Sequence, residues 1–183
     1  RLGPMLAPVA TDPFRLNEAI ETVRACLLVR RDPKEKTLSI HRLVQAVLQD
    51  ALEEEEKRTW MERAVFAVNE AFPEVEHSTW PQYERLLPQA LAAAKMIEQY
   101  QIISEDVGHL LYETASYLLM RARYPEAEPL FRQALRIREQ LLGPEHLNVA
   151  HTLSALATLS RNQGKYAEAE ELFQRALSIQ EQQ

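Results

Sequence analysis

A 42-residue period constrains the fold of this chain more than any other feature of its sequence. Val149 repeats Val107 one period later, and Phe173 repeats Phe131 in the same way. The same shift superposes further identical pairs: Leu111 and Leu153, Ala115 and Ala157, Tyr124 and Tyr166, Ala127 and Ala169, Ala134 and Ala176, Leu135 and Leu177, and Ile137 and Ile179. Such self-similarity at a fixed spacing is typical of a repeat protein, in which one structural unit is used more than once.

Each copy of the unit has the residue pattern of a helical hairpin. Apolar or small residues recur at three-four spacing in both halves of the second copy, as expected for one face of each helix. These residues are Leu153, Leu156, Ala157 and Ser160, then Ala169, Leu172, Phe173, Ala176 and Leu177. Gly164 is predicted to end the first helix, and Lys165 and Tyr166 lead into the second. We expect Phe173 to fill the space between successive hairpins.

These positions resemble a known family. Leu153, Leu156, Ala157, Gly164, Tyr166, Ala169, Phe173 and Ala176 fall at the spacing of the tetratricopeptide repeat, whose usual period of about 34 residues is stretched here by longer helices. The string GKYAEAEELFQRALSIQEQ is most similar to the long repeats of kinesin light chain. The resemblance covers residues 107–183. It implies a mainly α fold, in which hairpins stack into a right-handed α-α superhelix.

The N-terminal part has a different pattern. LLVRRDPKEKTLSIH combines an apolar run, a polar turn and alternating Leu38 and Ile40, which predicts a β-hairpin near residues 27–41. A helix is expected to follow and to run through the glutamates that end at Glu56. This order resembles the winged-helix segment of NB-ARC-type signal-transduction ATPases, the STAND class, above all in SIHRLVQAVLQD. The phosphate-binding loop of those ATPases is absent from this sequence.

Three segments follow from these patterns. Residues 1–56 are predicted to be a partial winged-helix-like segment, and residues 104–183 two repeat units, at about 104–143 and 144–183. Residues 57–103 are predicted to be linker helices that include a degenerate hairpin, with one helix beginning at Pro81 and running to about Tyr100. Ser104 is the predicted cap of the next helix. The sequence begins with Arg1 and stops inside a repeat, so we expect it to be a fragment, and the resemblance of SIHRLVQAVLQD implies that the parent is a larger signalling ATPase.

Composition and charge argue against several classes of function. The net charge of −6 disfavours a general nucleic-acid surface, which needs clustered cations. A local cluster keeps winged-helix DNA binding open as the least favoured alternative: Arg30, Arg31, Lys34, Lys36 and Arg42. No apolar run is long enough to span a membrane and no signal peptide is recognisable, so we expect no membrane contact and a cytoplasmic location.

Nothing in the sequence predicts catalysis, a cofactor or a metal site. The single Cys26 lies in an apolar run and is expected to be buried. His41 has no acidic or histidine partner at ligand spacing, so a structural role is favoured. His109 and His151 recur at the repeat period, which leaves a weak metal or pH-sensing option open. The glutamates of the second helices recur at the same repeat period, which indicates a structural role and not a catalytic site. We expect a protein that is not an enzyme.

The resemblance implies that outward positions of the first helices line a concave groove and contact a peptide or protein ligand. In this sequence those positions include Tyr112, Glu113, Ser116, Met120, His151, Ser154, Thr158, Arg161 and Asn162. Related chaperone-type repeats bind the C-terminal carboxylate of a ligand through lysines and asparagines at these positions, and those residues are absent here. Only Arg161 and Asn162 resemble a pair that could bind an anion. The alternative is a face that contacts only solvent or the remainder of the parent polypeptide.

The favoured hypothesis is therefore a non-catalytic sensor or scaffold module that binds a protein partner. A second hypothesis is self-association through exposed repeat ends. It rests on Phe173 and Leu177, which nothing later in the sequence would cover.

Overall fold

A computed structural model describes residue 9 and residues 11–25, 29–32, 37–40, 42–72 and 79–182. The chain divides into two compact units, Arg1–Arg63 and Ala64–Gln183, and each is described by itself. The described residues are mainly α-helical, as the repeat pattern predicts. The roles predicted for Cys26, Lys34, Lys36 and His41 lie outside the described residues.

Helix α1 of the first unit spans Pro13–Ala25, and the Asp12 carboxylate accepts from the Phe14 amide at 2.9 Å, which caps the start of the helix. Strands β1, Val29–Asp32, and β2, Thr37–Ile40, pair antiparallel, with Val29 opposite Ile40. Helix α2, Arg42–Ala51, follows. The Gln45 side chain donates to the Ile40 carbonyl at 3.1 Å and so ties the start of α2 to the end of β2.

The prediction that one helix continues through the glutamates was wrong. Helix α2 ends at Ala51, and a new helix, α3, spans Glu54–Ala71. The Glu53 amide donates to the Glu56 carboxylate at 3.3 Å, which satisfies a donor at the start of α3. Acidic side chains are stabilised beside the positive end of a helix. The acidic run therefore begins a helix instead of ending one.

In the part of the second unit that the structure describes, five helices follow the end of α3. They are α4, Trp80–Tyr100; α5, Glu105–Met120; α6, Tyr124–Leu142; α7, Leu147–Asn162; and α8, Tyr166–Glu181. Each helix packs against the next, so that α5 with α6 and α7 with α8 form two hairpins. Helices α5 and α7 also contact each other, as do α6 and α7. The hairpins coincide with the two copies of the repeat unit.

Local signals in the sequence place the helix ends. Ser104 caps α5 as predicted, because its hydroxyl accepts from the Val107 amide at 3.3 Å. Gly164 adopts a positive φ of 79° after α7, and the Lys165 amide then donates back to the Ser160 carbonyl at 2.9 Å. Ala122 occupies the same repeat position one period earlier and adopts the same left-handed backbone, with φ of 56°. An alanine at that position is strained, because its Cβ crowds the backbone.

The core of the second unit corrects one expectation about the aromatic residues. Phe131 is completely buried, whereas Phe173 is 36% exposed and Leu177 is 54% exposed. Helix α8 packs against α7 through Ala176 and Ile179, and its Phe173 side faces away from that contact. The phenylalanine of the first hairpin is therefore the buried one, whereas Phe173 borders an open groove.

A polar seam joins the two hairpins beside the buried Phe131. The Glu128 carboxylate of α6 accepts from Arg132 at 2.8 Å, from Lys165 at 3.2 Å and from Gln163 at 3.2 Å. These three donors, Arg132 first, lower the pKa of Glu128 to about 2. Arg132 also donates to Glu168 of α8 at 2.9 Å. The seam fixes the second hairpin on the first, and so fixes the spacing of α5 and α7.

Among the described residues, no helix is long and apolar enough to cross a membrane.

Candidate protein-binding face

The outward residues predicted on α5 and α7 occupy matching positions of the two repeat units, and we call this set of residues the first-helix face. It consists of Tyr112, Glu113, Ser116, Met120, His151, Ser154, Thr158, Arg161 and Asn162. Tyr112, Ser116 and Met120 follow one another at four-residue spacing on α5, and their partners one repeat period later are Ser154, Thr158 and Asn162 on α7. Residues four apart share a face of a helix. Helices α5 and α7 contact each other.

All nine residues retain access to solvent. Met120, His151, Arg161 and Asn162 are exposed, with Met120 at 47%. Tyr112, Glu113, Ser116, Ser154 and Thr158 are half-buried. The buried polar residues of the same helices, Thr114, Thr152 and Ser160, lie at other positions. The face therefore consists of side chains that solvent can reach, none of which is fully buried.

Tyr112 is held in place by the second helix of its own hairpin. The Arg138 guanidinium carbon lies 4.4 Å from the centre of the Tyr112 ring, a cation-π contact. The Phe131 ring packs edge-on against Tyr112, with the ring centres 5.8 Å apart. The tyrosine therefore has a fixed orientation, and replacing it would also disturb the junction between the hairpins.

Arg138 is a central residue that the sequence reasoning missed. Its guanidinium donates to the Thr152 hydroxyl at 2.8 Å and to the Asn148 carbonyl at 3.2 Å, so it links α6 to the first turns of α7. Burial lowers the pKa of Arg138, although it stays positively charged. A Cβ placed on Gly108 would approach the Arg138 side chain to 3.4 Å. The small residue at position 108 is the one sequence signal of this close approach.

A polar chain borders the start of α5. His109 Nδ1 lies 2.9 Å from the Asn69 side-chain oxygen, and the Asn69 amide donates to Asp106 at 3.3 Å. His109 Nε2 lies 3.9 Å from the Glu113 carboxylate. The same Glu113 carboxylate acts on Tyr83 of α4: burial first, and the negative charge of Glu113 second, raise the pKa of the Tyr83 hydroxyl far above its usual value. Asn69 belongs to α3, 40 residues before His109, so no local pattern could predict this contact.

A pocket of about 440 Å³ opens beside this chain, between the starts of α5 and α7. Its walls mix apolar and polar groups and include Asn69, Asp106, His109, Arg138, Leu142 and Asn148. The pocket adjoins the His109 end of the first-helix face.

Arg161 and Asn162 occupy the opposite end of the face. They are the last two residues of α7, where the carbonyl groups give the helix a partial negative charge. An anion would be repelled there, which weighs against the anion grip considered from sequence. Arg161 also borders a second groove, formed by Tyr166, Ala169, Phe173 and Leu177 of α8. Within the described part of the chain, no group of three His, Cys, Asp or Glu side chains has the geometry of a metal site.

The comparison with protein families agrees with this architecture. Residues 106–182 match the model of the tetratricopeptide repeat family. This part of the chain is similar to that family. The matched span begins near the start of α5 and ends just after α8, so it contains both hairpins and the whole first-helix face. Repeats of this family generally mediate protein-protein interaction or scaffolding and are generally non-catalytic. No curated protein matches the chain.

Proposed function

We propose that the tetratricopeptide repeat segment binds a protein or peptide partner across the first-helix face. The observation that carries the proposal is the paired register of α5 and α7. Both helices present solvent-accessible side chains at the same three repeat positions, and none of these side chains is fully buried.

The composition of the face indicates the class of ligand. Met120 and Tyr112 offer apolar contact, whereas the hydroxyls of Ser116 and Thr158 and the Asn162 amide offer hydrogen bonds. The Thr158 hydroxyl donates to the Ser154 carbonyl at 2.9 Å, but its oxygen can still accept from a ligand. A ligand segment with alternating apolar and polar side chains would satisfy this mixture. The absence of a row of lysines disfavours a ligand defined only by negative charge.

The wider setting belongs to the same proposal. We infer that the hairpins continue the right-handed superhelix of long, kinesin-light-chain-like repeats, with the first-helix face on the concave side. We also infer that the first unit is the winged-helix part of a STAND-type signalling ATPase. The succession from SIHRLVQAVLQD to the repeats supports this. Binding on the first-helix face would then signal to the nucleotide-binding part of the parent polypeptide.

A pull-down with matched variants tests the binding proposal. The face variant carries Met120→Ala, His151→Ala and Asn162→Ala, and it leaves Tyr112 intact because that ring supports the hairpin junction. The control variant carries Arg136→Ala, Gln140→Ala and Gln180→Ala, which change exposed residues of the second helices. A partner retained by the unaltered chain and the control, but lost by the face variant, is the expected result. Equal retention by all three, or by none, would contradict the proposal.

Self-association is a second candidate function, and the exposure of Phe173 and Leu177 favours it. Light scattering over a range of concentrations separates the two. A mass that rises with concentration, and returns to that of a monomer with Leu177→Asp, would support self-association. A constant monomer mass would leave partner binding as the function.

A further inference from the structure

The pocket between the starts of α5 and α7 is large enough to take a side chain of a ligand. Its volume of about 440 Å³ falls within the range of about 300–1,000 Å³ that is usual for ligand sites. All of its lining residues belong to the second unit. It adjoins the first-helix face, because Nε2 of its lining residue His109 lies 3.9 Å from the carboxylate of Glu113. The chemistry of the lining therefore bears on what the partner of that face can place there.

The hydrogen bonds on the α5 side of the pocket leave acceptors for a ligand. The Asn69 amide nitrogen donates to Asp106 Oδ1 at 3.3 Å, so the amide oxygen of Asn69 is an acceptor. His109 Nδ1 lies 2.9 Å from that oxygen and therefore carries the hydrogen. In the neutral imidazole this leaves Nε2 of His109 as a further acceptor.

Arg138 contributes a positive charge to the lining, but that charge already serves contacts within the chain. Its guanidinium donates to the Thr152 hydroxyl at 2.8 Å and to the Asn148 carbonyl at 3.2 Å. The guanidinium carbon also lies 4.4 Å from the centre of the Tyr112 ring. An anion in the pocket would compete with these contacts.

The helix starts beside the pocket are capped by the chain itself. The Val107 amide of α5 donates to the Ser104 hydroxyl at 3.3 Å, and the Asn148 amide of α7 donates to His146 Nδ1 at 3.1 Å. These amides are therefore not open to an anionic ligand.

The two carboxylates of the lining have no cation beside them. Asp106 accepts only from the Asn69 amide, and neither Glu105 nor Asp106 forms an ion pair with any residue that the structure describes. Glu105 is exposed and Asp106 is half-buried. The charge of the lining that the chain leaves uncompensated is thus negative, which favours a positively charged donor as the ligand group.

Apolar side chains form another wall of the pocket. Ile137, Leu141 and Leu142 come from the last turns of α6, and Leu141 is 43% exposed. A long basic side chain can lay its hydrocarbon stem along apolar surface while its charged end reaches a carboxylate. The pocket offers both surfaces together.

We propose that this pocket binds an arginine side chain of the protein or peptide partner. The guanidinium pairs with Glu105 and Asp106, and the stem lies against Leu141 and Leu142. Arginine is favoured over lysine because its planar group carries five donors, which can serve several acceptors at once. The proposal rests on the partner binding proposed for the first-helix face, since it assigns the pocket to one residue of that partner.

A titration of the full chain followed by nuclear magnetic resonance tests the pocket with a small probe, N-acetylarginine amide. Its twin is N-acetylcitrulline amide, which has nearly the same shape but no charge. We expect the arginine compound to shift the backbone amide signals of Glu105, Asp106 and His109, with a dissociation constant of about 1 mM. The citrulline compound should bind about tenfold more weakly, because it cannot form charge-assisted hydrogen bonds.

Matched charge variants locate the binding. Glu105→Gln with Asp106→Asn removes both charges but keeps an oxygen that can accept from the Asn69 amide. Affinity for the arginine compound should fall about tenfold in this variant. The control, Glu171→Gln with Glu181→Gln, removes two exposed carboxylates of α8 and should leave the affinity unchanged.

Three results would overturn the proposal. They are the absence of shifts at about 10 mM probe, equal binding of the two compounds, and an equal loss of affinity in the two variants. The last would show only a general attraction to an acidic protein. Because the probe is a small molecule, its failure would remove the arginine assignment alone, whereas equal retention in the pull-down would remove binding on the first-helix face.

Discussion

Phe131 and Phe173 occupy the same repeat position, and their replacement by alanine should have very different effects on stability. Phe131 is completely buried, so Phe131→Ala should lower the free energy of unfolding by about 3–5 kcal/mol, which includes the cost of a cavity. Phe173 is 36% exposed and borders an open groove, so its replacement loses about two-thirds of the burial energy and leaves no enclosed cavity. The loss should be about 1–2 kcal/mol.

Urea denaturation measures both losses. The chain has two compact units, so a probe specific to the second unit is required. Trp80 supplies it, because its ring packs edge-on against Tyr117 with the ring centres 6.4 Å apart. A common Trp60→Phe background removes the tryptophan of the first unit. The midpoint for Phe131→Ala should fall by about 1–2 M urea, and that for Phe173→Ala by less than half as much.

Equal losses for the two variants would refute the reasoning. Such a result would mean either that α7 and α8 do not cover Phe131 or that Phe173 is itself covered in solution. Light scattering on the same samples would identify the second case, because a covering second copy doubles the mass.

Three further predictions concern the helix ends and the polar contacts. Glu128→Gln should lower the free energy of unfolding by about 1 kcal/mol at neutral pH, whereas the exposed Glu171→Gln should leave it almost unchanged. Because folding lowers the pKa of Glu128 from 4.5 to about 2, this loss should disappear as the pH falls from 4.5 towards 2. A loss that does not change with pH in a series of thermal melts would contradict the assignment. Ala122→Gly should stabilise the protein and Gly164→Ala should destabilise it, each by about 1 kcal/mol, because the backbone is left-handed at both positions. Melting temperatures that shift in the same direction for the two variants would contradict this. Arg138→Met keeps the apolar stem of the side chain but removes two hydrogen bonds to α7. Urea denaturation should therefore show that the free energy of unfolding falls by about 1–3 kcal/mol. An unchanged midpoint would mean that these bonds do not hold the hairpins together.

The hairpins could be predicted because their determinants are local. The repeat register fixes which residues recur, Ser104 caps α5, and Gly164 supplies the left-handed turn between α7 and α8. The tetratricopeptide match to residues 106–182 supports the family that these signals indicated. The predicted first-helix face stays a prediction, although its nine residues are accessible to solvent.

The missed features depend on contacts between distant parts of the chain. Asn69 reaches His109 across 40 residues, and Arg138 reaches Thr152 from another helix, so neither contact leaves a periodic trace in the sequence. For Phe173 the sequence supported two opposite expectations, one that it fills the space between hairpins and one that it is uncovered, because its burial depends on whether a neighbouring hairpin covers it and not on the repeat itself. The break after Ala51 follows from the preference of acidic side chains for helix starts, which competes with the apparent continuity of the pattern.

Photo-cross-linking tests the central claim, partner binding on the first-helix face, most directly. A photoreactive amino acid is placed at His151, an exposed position of that face, and in a matched protein at Gln140, an exposed position of a second helix. Both proteins are irradiated in a lysate, and adducts are detected on denaturing gels. The account predicts a discrete adduct from position 151 and none from position 140. Adducts of the same mass from both positions, or an adduct from position 140 alone, would contradict it.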